Sequence, residues 1–170
     1  MAITAPLVLQ PETIADRALT LWQPWAWLVA HGHKNIENRP RGFSHKSFRG
    51  EFWIHASQES ERSIRSWPAA LELCAKILGD DFRIPDARGL AYGAIIGRAT
   101  ITGIYPPREP VRNDLDALIR GDGWSPWHFP DQYGFKLENA RALKEPVPCR
   151  GYQGFWRVPA DVLEKLRGAP

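Results

Sequence analysis

The segment from Gly93 to Gly103 constrains the fold more than any other part of the chain. Ala94, Ile95, Ile96, Ala99 and Ile101 make it apolar on both faces and rich in β-branched residues, as expected of a strand at the centre of a sheet covered on both sides. Around it the strands predominate. Ala18 to Leu21 reads as a short strand, Lys34 to Arg39 as a second, and Glu51 to Ala56 as a third with cleaner alternation. In that third strand Phe52, Ile54 and Ala56 are expected to face the core, with Trp53 and His55 on the opposite face. Tyr133, Phe135 and Leu137 mark a further strand, and Gly154 to Val158 the last. The helices are few and fall between strands. No strand–helix–strand alternation is visible, so the pattern predicts an α+β chain, a small mixed β-barrel with peripheral helices, rather than a doubly wound sheet.

The helices carry recognisable start and stop signals. Pro24 opens one through Ala30, with Trp25, Leu28 and Val29 on one stripe and Gly32 ending it. Ser57 or Ser60 is placed to cap a second, which Pro68 restarts and Gly79 ends. A short third helix runs from Ala160 to Leu166. Residues 1–17 lack a period and read as an N-terminal arm, leaving 18–170 as one domain, a size with room for a real core. Within it residues 104–131 form a long insertion or flap, with a short helix around Leu115 to Ile119 and the aromatic run Trp124, Trp127 and Phe129 stiffened by Pro126 and Pro130. The flap is expected to fold over the Lys34 corner and offer an aromatic wall; the other reading has Trp124 and Trp127 plugging one end of the barrel.

With 44% hydrophobic and 24% charged residues the composition is that of a globular chain. No apolar run is long enough to span a membrane, and no leader pattern opens the sequence, so a cytoplasmic location is expected. Cys74 and Cys149 are far apart, and His31 and His33 have no third ligand at diagnostic spacing; neither a disulfide, a metal nor a cofactor is expected. The net charge of +3 says little by itself, but its distribution is uneven. Lys34, Arg39, Arg41, Lys46 and Arg49 stand against Glu37 alone in one stretch, and Arg141, Lys144, Arg150 and Arg157 against Glu145 in another. Such segregation is the signature of a basic face.

The residues from Leu19 to Arg39 form the most promising binding corner. Gln23 is a weak cap and Pro24 has no N–H, so the first helical turn is expected to present amides to a phosphate or carbonyl. Trp22 or Trp25 offers a stacking face, Lys34 a mobile cation, Glu37 an acceptor for exocyclic amino groups, and Arg39 a planar fork. On spacing alone, buried tryptophans and an ordinary Glu37–Arg39 surface pair explain the same residues. Ser57 and His55 lie at the end of the third strand; His55 serves equally as a structural histidine. Arg150-Gly151-Tyr152-Gln153-Gly154 suits a backbone-clamping loop or a plain hairpin turn.

Gly32-His33-Lys34-Asn35-Ile36-Glu37-Asn38-Arg39 resembles the G-x-K-x-x-E-x-R signature of the ASCH family, preceded, as in that family, by a strand and a Gln-Pro-Trp-Ala helix start. Arg49-Gly50, Ile54-His55-Ala56, Gly93 to Gly97, Tyr133 to Phe135, Pro146-Val147-Pro148 and Gly154-Phe155-Trp156 continue the resemblance in order. It implies a PUA-like barrel, and the closest likeness is to ASCH domains of the transcription-coactivator type, thought to bind nucleic acid in a cleft. On that reading the ligand is RNA or DNA, as a single strand or a strand end, or a modified nucleoside, contacted by Trp22, Gln23, Trp25, Lys34, Glu37, Arg39, His55, Ser57, Trp127 and Tyr152. Arg41, Lys46, Arg49 and Arg150 would follow the phosphates. A bacterial branch of the family hydrolyses N4-acylated cytidine with a lysine and a threonine of this motif; Lys34 matches the lysine, but Glu37 stands in the threonine's place, so an amidohydrolase would rely on Lys34 and Glu37. A ribonuclease-like branch is the thinner alternative, with His55 beside Lys34 moving protons.

Overall fold

In the computed structural model, residues 15–44, 47–107 and 125–168 are described. Six strands form one curled half-barrel sheet: β1 (Arg17–Leu21), β2 (Ile36–Arg39), β3 (Gly50–Ala56), β4 (Ala94–Tyr105), β5 (Tyr133–Pro148) and β6 (Phe155–Arg157). Their order is β2-β5-β4-β3-β1-β6, with β1 and β3 parallel and every other neighbouring pair antiparallel. Among the described residues three α-helices accompany them: α1 (Trp25–Ala30), α2 (Glu61–Leu78) and α3 (Ala160–Arg167). The mixed α+β expectation therefore holds, and β4, the doubly apolar segment, sits between β3 and β5.

Both sheet faces are covered, and the alternation along β3 shows by what. Phe52, Ile54 and Ala56 point into the main core with Leu19, Leu21, Ile101, Phe135 and the α1 residues Ala26, Val29 and Ala30. Trp53 points the other way, as the alternation requires, into a second cluster closed by Trp156, Val158 and the Val162 and Leu166 stripe of α3. Its opposite face is thus dry rather than wet, and its indole N–H donates to the Ala15 carbonyl at 2.7 Å. A third cluster joins α1, β2 and α2 through Leu28, Ile36, Cys74 and Trp127.

Several boundaries differ from expectation for local reasons. Pro68 does not restart a helix; α2 runs through it without a break, started by a reciprocal capping box between Ser60 and Ser63. Ser57 is not the cap. Strand β5 continues to Pro148, well past the clear alternation that ends at Glu138, because register shifts at Ile95/Gly97 and Arg98/Thr100 let its C-terminal half keep pace with β4. The basic residues Arg141 and Lys144 therefore lie on a strand. The expected helix around Leu115, and Trp124, His45, Lys46 and most of the N-terminal arm, lie outside the described residues.

Gly97 is where helix and sheet come closest. A Cβ there would stand 2.7 Å from the Arg141 carbonyl oxygen and 3.0 Å from the Ala30 Cβ, both held by strand and helix backbone. Gly97→Ala is expected to cost about 1–3 kcal/mol by overpacking, read as a lower urea midpoint at constant slope. A midpoint equal to wild type would mean that α1 can move away from β4 freely.

Candidate functional site

A cleft of about 1100 Å3 opens at the end of the half-barrel where β1, β2 and β3 meet the loop between β5 and β6. Its floor is an ion triad. Lys34, just before β2, is 3% exposed, and its ammonium contacts the Ile36 carbonyl and Glu37 Oε2, the latter at 3.4 Å. Glu37 Oε1 faces Arg39 Nε at 3.1 Å. That approach suits an ion pair but is misaligned for a hydrogen bond, so Nε has no hydrogen-bond partner among the described residues. Arg39 Nη2 donates instead to the Thr20 carbonyl at 2.9 Å, and its guanidinium lies 5.4 Å from the Phe43 ring centre. Lys34 in turn sits 5.7 Å from the Trp25 ring centre.

Two cations around one carboxylate leave the floor a unit positive when Lys34 is protonated, which favours an incoming anion or electron-rich group. Burial pushes the Lys34 amine below the usual lysine range; the nearby Glu37 carboxylate opposes that shift and Arg39 adds to it. Lys34 is therefore a fixed group and not the mobile surface cation that its place after a glycine turn implied. Nor is the Glu37–Arg39 pair an exposed one.

Gln23 and the helix start behave differently from the sequence reading. The Gln23 side chain is buried, accepting from the Trp27 N–H at 3.0 Å and donating to the Ala91 carbonyl at 2.9 Å, while the Ala26 N–H already donates to the Trp22 carbonyl. The Ala26, Trp27 and Leu28 amides of the first turn of α1 are thus engaged by the chain itself. Gln23 positions α1 instead of touching a ligand.

One wall is built on Thr20. Its hydroxyl donates to the Tyr152 carbonyl at 2.8 Å and accepts from the Trp156 indole N–H at 3.0 Å. His55 lies alongside, Nδ1 3.3 Å from the same hydroxyl and Nε2 3.1 Å from the Cys149 carbonyl. Because a carbonyl only accepts, Nε2 carries hydrogen. The ring fills the space above Gly151, where any Cβ would overlap it. With both nitrogens facing protein atoms, His55 holds the β5–β6 loop against β1 and is poorly placed to shuttle protons to a substrate. This loop is not a hairpin turn, since β5 and β6 are not neighbours in the sheet; Arg150 stacks 5.4 Å from the Tyr152 ring centre, and Tyr152 meets Trp156 edge-on.

Burial holds His55 below the usual histidine range, and burial followed by the charge of His31 does the same for His33. A depressed folded value means that the unfolded chain takes the proton first. Their contribution to stability is therefore whole above pH ~6.5 and is lost as pH falls through the lower folded values. Melting temperatures measured from pH 7.5 downward should fall on the acid side, with a shallower slope in His55→Gln. An unchanged slope in that variant would remove His55 as a contributor.

Of the other expected site residues, Trp22, Trp25, Ser57, Arg150 and Tyr152 line the cleft, Trp22 and Tyr152 exposing 43% and 51% of their surface at its rim. Arg41 and Arg49 are exposed but lie outside the lining, and Arg49 donates to the Phe48 carbonyl. Lys46 lies outside the described residues. Trp127 is a correction: it is 3% exposed within the third core cluster and does not line the cleft. From the same segment Phe129 and Gln132 do reach it. Asn38, passed over in the sequence, fixes that segment by donating to the Trp127 carbonyl at 2.8 Å and accepting from the Phe129 N–H at 2.9 Å. Thr20, Gln58 and Gln153 were likewise missed; nothing in their immediate sequence distinguishes them from ordinary strand-end and loop residues. No group of histidine, cysteine and acidic side chains fit to hold a metal occurs among the described residues.

A family model, the ASCH domain, matches residues 19–146, and so spans the triad, the central strands and most of β5. The chain belongs to the ASCH domain family. The structure of ASCH from Zymomonas mobilis superposes with a TM-score of 0.50 at 14% identity, covering 91% of this chain and 95% of that one. A mutant form of the Zymomonas mobilis protein gives a TM-score of 0.50 at 14% identity, covering 91% and 98%. At that identity the likeness concerns the fold alone. No curated protein matches this ASCH chain. No helix among its described residues is long and apolar enough to cross a membrane.

Proposed function

We propose that this ASCH domain binds an unpaired nucleobase or strand end of RNA or DNA in the cleft, in the manner of the transcription-coactivator-type members that its motif resembles. The observation that carries the reading is the pairing of a cationic floor with exposed aromatic rims: Lys34, Glu37 and Arg39 below, Trp22 and Tyr152 above. An aromatic face stacks on any base, and a net positive floor draws in the phosphate-bearing strand. Arg150, exposed at the rim, is the cation best placed to follow the backbone. A cytoplasmic site of action agrees with this ligand.

Affinity for a short single-stranded oligonucleotide should fall steeply with salt, at about 0.7 of a log unit per phosphate contact for each log unit of salt. Arg150→Ala should remove about one contact's worth of that slope. A flat salt profile in the wild type would refute strand binding.

One observation supports the amidohydrolase alternative. A lysine amine held below its usual range by burial is a better base or nucleophile than an exposed one, and Lys34 is such an amine. Against it, Glu37 occupies the position of the hydroxyl residue, and both its carboxylate oxygens face cations. Incubation with N4-acetylcytidine followed by mass spectrometry decides the matter: loss of the acyl group would establish the enzyme, and an unchanged mass with retained strand binding would support the binding module.

A further inference from the structure

With the floor paired internally, the hydrogen-bonding edge of a bound base must be read by other groups. Glu37 has Lys34 on one oxygen and Arg39 on the other, and the Asn38 amide is spent on Trp127 and Phe129. Ser57 donates to the Gln58 carbonyl. What remains among the described polar lining includes the carboxamides of Gln58, Gln132 and Gln153, none of which bonds to another described residue. Gln58 differs from the other two in being seated. Its carboxamide lies over Gly93 so closely that a Cβ on Gly93 would overlap the amide nitrogen. Gly93 is itself fixed, its N–H donating to the Ser57 carbonyl at 3.2 Å and its carbonyl accepting from the Cys149 N–H at 3.1 Å, so it ties the end of β3 to the end of β5. Its φ of +61° suits glycine. A bare, rigid patch of backbone therefore gives the Gln58 amide a defined place on the cleft wall.

We infer that Gln58, held on the Gly93 platform, is the specificity-determining residue that reads the hydrogen-bonding edge of an unpaired base in this cleft. The inference rests on the base-binding reading of the site and deepens it. A carboxamide offers one acceptor oxygen and two N–H donors, which match an edge that presents a donor beside an acceptor. The same pairing serves glutamine in reading adenine elsewhere. On the Watson–Crick side such an edge is free only in an unpaired base, and a reader of that side takes a single-stranded segment rather than a duplex.

The test measures fluorescence anisotropy with short RNA strands of adenine, cytosine or uracil alone, at fixed salt and across a salt series. Wild type is expected to separate its best strand from its worst by about tenfold or more, and Gln58→Leu to compress that ratio to about twofold with the salt slope kept. Gly93→Ala retains Gln58 but displaces its amide, so it should compress the ratio in the same way. Gln58→Glu can only accept, so it should lose the bond to the acceptor of the base edge and weaken the preferred strand. Preferences in Gln58→Leu and Gln58→Glu identical to those of wild type, or a wild type that binds all three strands equally, would overturn the inference and leave the cleft reading standing. Absence of salt-dependent binding to any strand would overturn the cleft reading and this inference with it.

Discussion

Glu37→Ala is expected to lower the unfolding free energy by about 3–5 kcal/mol, the cost of leaving buried charge without its counterion. Glu37 is the hub of the floor: Lys34 and Arg39 each face one of its oxygens, and both cations are shielded from water. Removing the carboxylate leaves two like charges close together in a low-dielectric site. Lys34→Met is expected to cost less, because Glu37 and Arg39 then remain as a matched pair and the methionine fills the space of the lysine stem. Urea denaturation of the two variants checks the order. If Glu37→Ala stayed within about 1 kcal/mol of wild type, the triad would be behaving as a solvated surface cluster, and its role as a preorganised floor would fall. The same experiment bears on binding assays. A loss of affinity in Glu37→Ala means nothing for ligand contact until the fold is shown to survive, whereas Arg150, on the exposed rim, is open to substitution without that confusion.

How far the sequence leads depends on whether a property is local. Alternation in β3 and the apolar density of β4 are local, and they located both strands and assigned the correct face to Phe52 and Ile54. Alternation does not say what covers the second face, and it gave no sign that α3, β6 and the β5–β6 loop close over Trp53 and His55. The triad followed from the Gly32 to Arg39 pattern, but its burial did not. Lys34 follows a glycine turn, which locally reads as surface; in the fold it is buried beside the Trp25 ring and the Glu37 carboxylate. The helix start failed for a similar reason. Gln23 is a poor cap by residue type, yet its longer side chain reaches back to the Trp27 N–H once Ala91 holds its other end, a partner 68 residues away. Thr20 and Gln58 owe their importance wholly to such distant neighbours, at Tyr152 and Trp156 for one and at Gly93 for the other.

Trp127 gives the second large effect, and it separates two roles that the sequence left open. A tryptophan between prolines in a long connection suits an aromatic wall over a ligand; it equally suits a plug. The structure places the ring among Leu28, Ile36 and Cys74, 3% exposed, where it joins α1, β2 and α2 beneath the cleft rather than within it. Trp127→Ala is therefore expected to cost about 3–5 kcal/mol in folding, since the vacated volume is bounded by three elements that cannot all collapse into it. Binding should suffer far less, measured below the melting temperature of the variant, because Phe129 and Gln132 reach the cleft from backbone that Asn38 holds independently of the indole ring. Asn38 bonds the main-chain carbonyl of residue 127, which alanine retains. A variant as stable as wild type but about tenfold or more weaker for a single strand would reverse the assignment, showing the ring to be a stacking surface of the kind worth 1–3 kcal/mol per base.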